Sequence, residues 1–138
     1  MKIKFDYTPY PSADYTGRDT LAWRPMVDVT LFGPKDFRNV KALIDTGADD
    51  CLIHRDFSEI LGVKFIGKKK VIGVGTDILV DYAEVEIVIK HFNKKIKTIA
   101  GFAELPLPCL LGQSGFFDNY RVRFEKDIER FEIMEIKT

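Results

Sequence analysis

Cysteine is scarce in this chain: Cys51 and Cys109 are the two in 138 residues. Two are too few for a disulfide scaffold, and both read as reduced, small, apolar-lined side chains. Surplus charge of one sign is also missing. The 21 basic and 21 acidic residues cancel, whereas a nucleic-acid binder needs a basic excess to displace counterions from phosphates. Lys68-Lys69-Lys70 and Lys94-Lys95 are local clusters, read as solvated loop tips. No apolar run is long enough to span a bilayer. Met1 to Tyr7 has no apolar core of a signal peptide, so a cytoplasmic location is expected. Histidine is nearly absent too. His54 and His91 stand far apart with no neighbouring ligand at metal spacing, so no metal is expected. Gly73-Val74-Gly75 lacks the third glycine and the Lys-Ser/Thr pair of a phosphate loop.

What remains is a globular composition, 46% apolar and 30% charged, at the size of one domain. Residues 1–24 are irregular by pattern, broken by Pro9, Pro11 and Gly17, yet five of the first 23 are aromatic. They read as an arm that packs onto something. From Pro25 onward the pattern is β. Met26 to Phe32 alternates, Gly33-Pro34-Lys35-Asp36 is turn chemistry, and Phe37 to Ile44 returns. Asp56 to Gly62 fits a short helix with a glycine cap. Val71 to Ile89 reads as a hairpin with its tip at residues 73–77, followed by a strand over Ile96–Phe102. Gly115 to Tyr120 reads as a second short helix. Arg121 to Ile136 reads as a last hairpin, Val122 and Phe124 facing Phe131 and Ile133. Seven or eight strands with little helix imply an all-β, closed or sandwiched domain. The stretch Leu110-Leu111-Gly112 echoes Leu43-Ile44-Asp45-Thr46-Gly47, each placed after a hairpin and before a helical segment.

Asp45 is the residue with the strongest chemical character. It ends an apolar strand and is followed by Thr46, a small hydroxyl residue, and Gly47, which has no Cβ. Such a turn aims backbone N–H groups at a carboxylate. Asp49 and Asp50 follow, and clustered acids are costly unless paired or used to shift one another. The plainer reading is a loop in which Asp45 caps a turn and its neighbours are solvated.

The run Leu43-Ile44-Asp45-Thr46-Gly47-Ala48-Asp49-Asp50 closely resembles the active-site motif of the retropepsin-like aspartic proteases. Ile72-Gly73-Val74-Gly75 falls about where that family places its flap, and Leu110-Leu111-Gly112 is similar to its second apolar-apolar-glycine element. The resemblance covers roughly residues 25–125 and implies a barrel-like all-β subunit, with one or two short helices, that dimerises. On it, each chain brings one catalytic Asp45, supported by Thr46 and Gly47. Ala48, Asp49, Asp50, Ile72, Gly73, Val74, Gly75 and Leu110 would hold an extended peptide substrate. A water between two Asp45 carboxylates would attack the peptide bond, with neither metal nor cofactor. The chain departs from the family at Gln113, where arginine is common, so Asp49 needs another partner, such as Gln113, Arg121 or Arg123. Residues 1–24 are expected to pack on the core or the dimer interface, and residues 25–138 to form the β domain with its C-terminal hairpin. Phe131 and Ile133, with Ile128 or Ile136, and the aromatic arm are the candidate dimer seals. The rival functions are a non-catalytic peptide-binding or dimerisation module on the same fold, and a plain β interaction domain.

Overall fold

The computed structural model describes residues 1–72 and 77–137, and Gly73, Val74 and Gly75, expected to belong to a flap, lie outside them. Three strands come first: β1 (Lys2–Asp6), β2 (Thr8–Ala13) and β3 (Asp19–Arg24). The expectation of an irregular N-terminal arm is thereby corrected. Prolines hid the strands, because Pro9 and Pro11 interrupt the pattern that marks a strand without preventing an exposed two-stranded ribbon from forming. β4 (Met26–Phe32) and β5 (Phe37–Ile44) form the expected hairpin, with Met26, Val27, Val29 and Leu31 buried. Next come β6 (Leu52–His54), the helix α1 (Phe57–Leu61), β7 (Gly67–Ile72), β8 (Asp77–Ile89) and β9 (Lys95–Ala103). β10 (Cys109–Leu111), β11 (Tyr120–Glu125), a single 3-10 turn (Lys126–Ile128) and β12 (Arg130–Glu135) complete the chain.

The main sheet has the order β4-β5-β10-β6-β9-β8-β7, and β4 also pairs with β8, so the sheet is ring-like. Its interior is filled by Val29, Leu31, Ile53, Val85, Ile87, Ala100 and Phe102 with their neighbours. β1, β12 and β11 form a separate sheet, and β2 with β3 a two-stranded ribbon. Helix α1 ends at Gly62 in the left-handed region, as the glycine cap implied. Residues 115–119 are a run of turns rather than the expected second helix. Gly115 breaks the segment with φ +100°, and the side chain of Asn119 takes the Gly115 carbonyl at 2.6 Å.

The last hairpin has the expected register, Val122 opposite Ile133 and Phe124 opposite Phe131. The expectation that Phe131 and Ile133 seal a dimer is corrected: both are fully buried, and Phe131 stacks on Phe5 of β1. β12 is already paired on both edges, while Ile128, the other hairpin residue expected at the seal, is 54% exposed.

Candidate active site

The two sequence echoes are neighbours in space. β5 and β10 run parallel, with Leu110 opposite Leu43 and Leu111 opposite Ile44. The Asp45 N–H continues this pairing by donating to the Leu111 carbonyl at 3.0 Å. Asp45 thus leaves the buried end of β5 from a fixed position. The chain then turns at once: the Gly47 N–H donates to Asp45 Oδ1 at 2.9 Å, and the Ala48 N–H to the Asp45 carbonyl at 3.3 Å. A Cβ on Gly47 would stand 3.3 Å from Asp45 Oδ1, tighter than most such contacts. The carboxylate is half-buried, while Thr46 and Gly47 are exposed.

The segment after β10 locks the other side of the turn. The Gln113 N–H donates to the Ala48 carbonyl and the Ser114 N–H to the Asp49 carbonyl, both at 2.8 Å. This brings Gly112 against the turn so closely that a Cβ there would collide with the carbonyl oxygens of Ala48 and Asp50. The Gln113 side-chain amide donates to the Thr46 carbonyl at 2.9 Å. Gln113 therefore braces the backbone of the turn and does not serve Asp49, contrary to one of the expectations for it. Arg123 pairs with Glu132 on its own hairpin.

A cleft of about 380 Å³ opens beside this turn, lined by Gly47, Ala48, Asp49, Asp50, Leu52, Tyr82 and the strand Lys69–Ile72. Four of the expected substrate-binding residues, Ala48, Asp49, Asp50 and Ile72, line it together. Leu110 does not: it is half-buried within the sheet between Leu43 and Leu52. Tyr82, Lys69 and Lys70 are cleft residues that pattern reading missed. Lys68-Lys69-Lys70 is no loop tip but part of β7, the terminal strand of the sheet order, where lysines discourage another strand from adding. Tyr82 donates its hydroxyl to Asp50 Oδ2 at 3.1 Å, and Lys69 stands 3.9 Å from the same oxygen and over the Tyr82 ring. Burial, then the charge of Asp50, pushes the Tyr82 phenol up to about 12, so it stays a donor at any physiological pH. Tyr82 carried no signal in the sequence, since an aromatic in an alternating strand reads as core.

Cys51 and Cys109 are buried and free, and burial pushes the Cys51 thiol up to about 11, which leaves it protonated and unreactive. A larger hollow of about 570 Å³ lies among β4, β5 and residues 88–92, away from Asp45. Its one acid, Asp28, is matched by Lys41 at 3.0 Å and Lys90 at 3.5 Å, an arrangement that satisfies charge and leaves no poised group. No helix among the described residues is long and apolar enough to cross a membrane.

No protein-family model matches the sequence, and no curated protein does. Solved structures do match. The chain is similar to EIAV protease in complex with an inhibitor, at 26% identity and TM-score 0.52, over 65% of this chain and 82% of that one. It is also similar to a retropepsin-like aspartic protease from Rickettsia conorii, at 19% identity and TM-score 0.55, over 97% and 98% of the two chains.

Proposed function

We propose that this chain, retropepsin-like in fold, is an aspartic endopeptidase that works as a homodimer, with Asp45 of each copy forming the catalytic pair. The observation that carries the reading is the Asp45 turn itself. Its carboxylate is half-buried, its Oδ1 is held by the Gly47 N–H, and the turn is pinned to the β10 segment by Leu111, Gln113 and Ser114. Preorganised donors of this kind fix a carboxylate without neutralising it.

One Asp45 cannot be base and acid in the same step, so the chemistry needs the second copy. Two carboxylates at hydrogen-bond distance keep one proton between them. The ionised member takes a proton from a water held by both, and the water oxygen attacks the scissile carbonyl carbon. The protonated member gives its proton to the carbonyl oxygen, forming a neutral tetrahedral diol. Collapse breaks the C–N bond as the leaving nitrogen is protonated. An extended peptide would lie in the cleft between the Gly47–Asp50 segment and β7, held in part by main-chain hydrogen bonds. By the resemblance, Gly73, Val74 and Gly75 are proposed to help hold the peptide. The two buried, unpaired thiols fit a reducing compartment such as the cytosol.

The test is hydrolysis of a random peptide library by wild type and Asp45→Asn. Loss of at least about a hundredfold in the variant, with fold and assembly kept, is expected for a residue that is both base and acid. Retention of a tenth of the activity removes Asp45 from the mechanism. A wild type that binds peptides without cleaving them turns the reading to a peptide-binding module on the same fold.

A further inference from the structure

Asp50 lines the cleft beside the Asp45 turn, yet its carboxylate already has two partners. Tyr82 donates its hydroxyl to Asp50 Oδ2 at 3.1 Å, and Lys69 Nζ stands 3.9 Å from the same oxygen. The Asp50 side chain is 24% exposed. Both partners come from the β7–β8 hairpin, and its register explains why. Gly67 lies opposite Tyr82 and Lys69 opposite Val80, so Tyr82 and Lys69 share one face of the hairpin. Gly67 adds no side chain beside the phenol, and Lys69 comes to lie 5.5 Å over its ring.

Tyr82 reaches Asp50 from a strand that is itself held firmly. Its carbonyl accepts the Ile66 N–H at 2.8 Å. Its neighbour Asp81 turns to the other face of β8, where Arg55 binds the carboxylate and also donates to the carbonyls of Leu79 at 3.3 Å and Phe102 at 3.2 Å. β8 is therefore a fixed post on that side of the cleft. The turn is fixed elsewhere, at Ala48 and Asp49, by N–H groups of the segment after β10. The Tyr82–Asp50 bond joins these two rigid bodies across the cleft.

We infer that Tyr82 is a positioning residue for peptide binding: through Asp50 it fixes the gap between the Asp45 turn and the β7–β8 hairpin, and Asp50 is the strut of that span rather than a reader of substrate charge. The inference rests on the proposed peptidase reading and deepens it by separating Asp50 from the residues that touch substrate. Lys69 matches the charge of Asp50, so a cationic substrate side chain gains little from it. The strut acts on the width of the cleft and not on Asp45, whose own carboxylate is held by Gly47. Its loss therefore falls on affinity, not on the chemical step.

The test is hydrolysis by the full chain and its affinity for fluorescein-labelled acidic, neutral and basic peptides drawn from the random library, for wild type, Tyr82→Phe, Asp50→Ala, Asp50→Asn and Tyr82→Phe/Asp50→Ala. Affinities are read on an Asp45→Asn background, so that binding is seen without turnover. Tyr82→Phe and Asp50→Ala are each expected to weaken binding about fivefold, as loss of one hydrogen bond does, with kcat within about twofold of wild type. The double variant should be no more than about twofold weaker than either single one, because both remove the same bond. The amide oxygen of Asp50→Asn still accepts from Tyr82, so this variant should recover most of the affinity lost in Asp50→Ala and keep the wild-type order of preference among the three peptide classes. An Asp50→Asn as weak as Asp50→Ala, a selective loss of basic peptides, or additive losses in the double variant overturns the strut and leaves the peptidase reading standing. A wild type that binds peptide without cleaving it overturns the peptidase reading, and the affinities still judge the strut; one that neither binds nor cleaves overturns both. Should Asp50→Ala fail to fold, Tyr82→Phe decides, and wild-type affinity in it overturns the inference.

Discussion

The side-chain amide of Gln113 donates to the backbone carbonyl of Thr46 at 2.9 Å, across 67 residues of sequence. The bond ties the Asp45 turn to the segment after β10 and adds to the Gly47 N–H bond within the turn. Gln113 is exposed, so the bond adds little to global stability but restricts where the carboxylate points. Gln113→Ala is expected to lower kcat about fivefold, the rate equivalent of roughly 1 kcal/mol, with KM and melting temperature nearly unchanged. Gln113→Glu should be worse, since it places an acceptor against an acceptor. Steady-state kinetics with a thermal melt checks both, and a normal kcat in Gln113→Ala would show that the backbone bonds alone hold the turn.

Gly112 is required for space. A Cβ there collides with the carbonyls of Ala48 and Asp50, which belong to the same turn and cannot move without dragging Asp45. Gly112→Ala is expected to cost about 2 kcal/mol, to lower the melting temperature by about 5–10 °C, and to abolish hydrolysis. A melting temperature within a degree or so of wild type would show that the two segments are looser than their geometry implies.

Tyr120 is almost wholly buried, and its hydroxyl finds no hydrogen-bond partner among the described residues. Burial, then the charge of Glu135, pushes its phenol up to about 12. The sign follows directly. The unfolded chain loses this proton near pH 10 and the folded chain only near 12, so ionisation favours the unfolded state across that window. Stability should be fully present below about pH 10 and fall between about 10 and 12, with Tyr82 acting in the same direction. Tyr120→Phe should leave neutral-pH stability unchanged or slightly raised and flatten the alkaline loss. Urea unfolding at a series of pH values measures it, and an identical alkaline slope in the variant would remove Tyr120 from the account.

Mixing tests the catalytic pair without any assumption about where the copies touch. Asp45→Asn in about ninefold excess over wild type, with exchange of subunits, should leave roughly a tenth of the activity, because most wild-type chains then pair with a partner that cannot share the chemistry. The rate should peak at acidic to near-neutral pH, where the pair holds one proton. Additive activities on mixing would show that each chain works alone.

The readable part of the molecule was the part with period two. β4, β5, the return strand β8 and the last hairpin could be drawn from alternation, and Gly62 marked the end of α1, because local sequence alone dictates these features. The Leu110-Leu111-Gly112 echo was visible as a string, yet its lying parallel to β5 was not, since parallel pairing carries no local signature. The cleft was half legible. Ala48, Asp49 and Asp50 are contiguous with Asp45, but Tyr82 and Lys69 arrive from a different hairpin and look like a core aromatic and a solvated lysine. Gln113 looked like a substitute partner for Asp49, and only its reach to Thr46 showed the backbone to be its target. The prolines of β2 masked a strand pair whose register, not whose composition, puts Trp23 and Leu21 on one face.

The pairing of β10 with β5 also sets a clock. The strand that delivers Asp45 is synthesised long before Leu111, whose carbonyl fixes the Asp45 N–H, and before Gln113, which closes the turn. Until those later residues join, the early strand has no template on that edge, and closing so long a loop is slow and entropically costly. A growing chain on the ribosome therefore carries the acid but not the shape that makes it useful. On the proposed reading, competence to cut would come last in the life of each new molecule, after most of its own backbone is already folded out of reach.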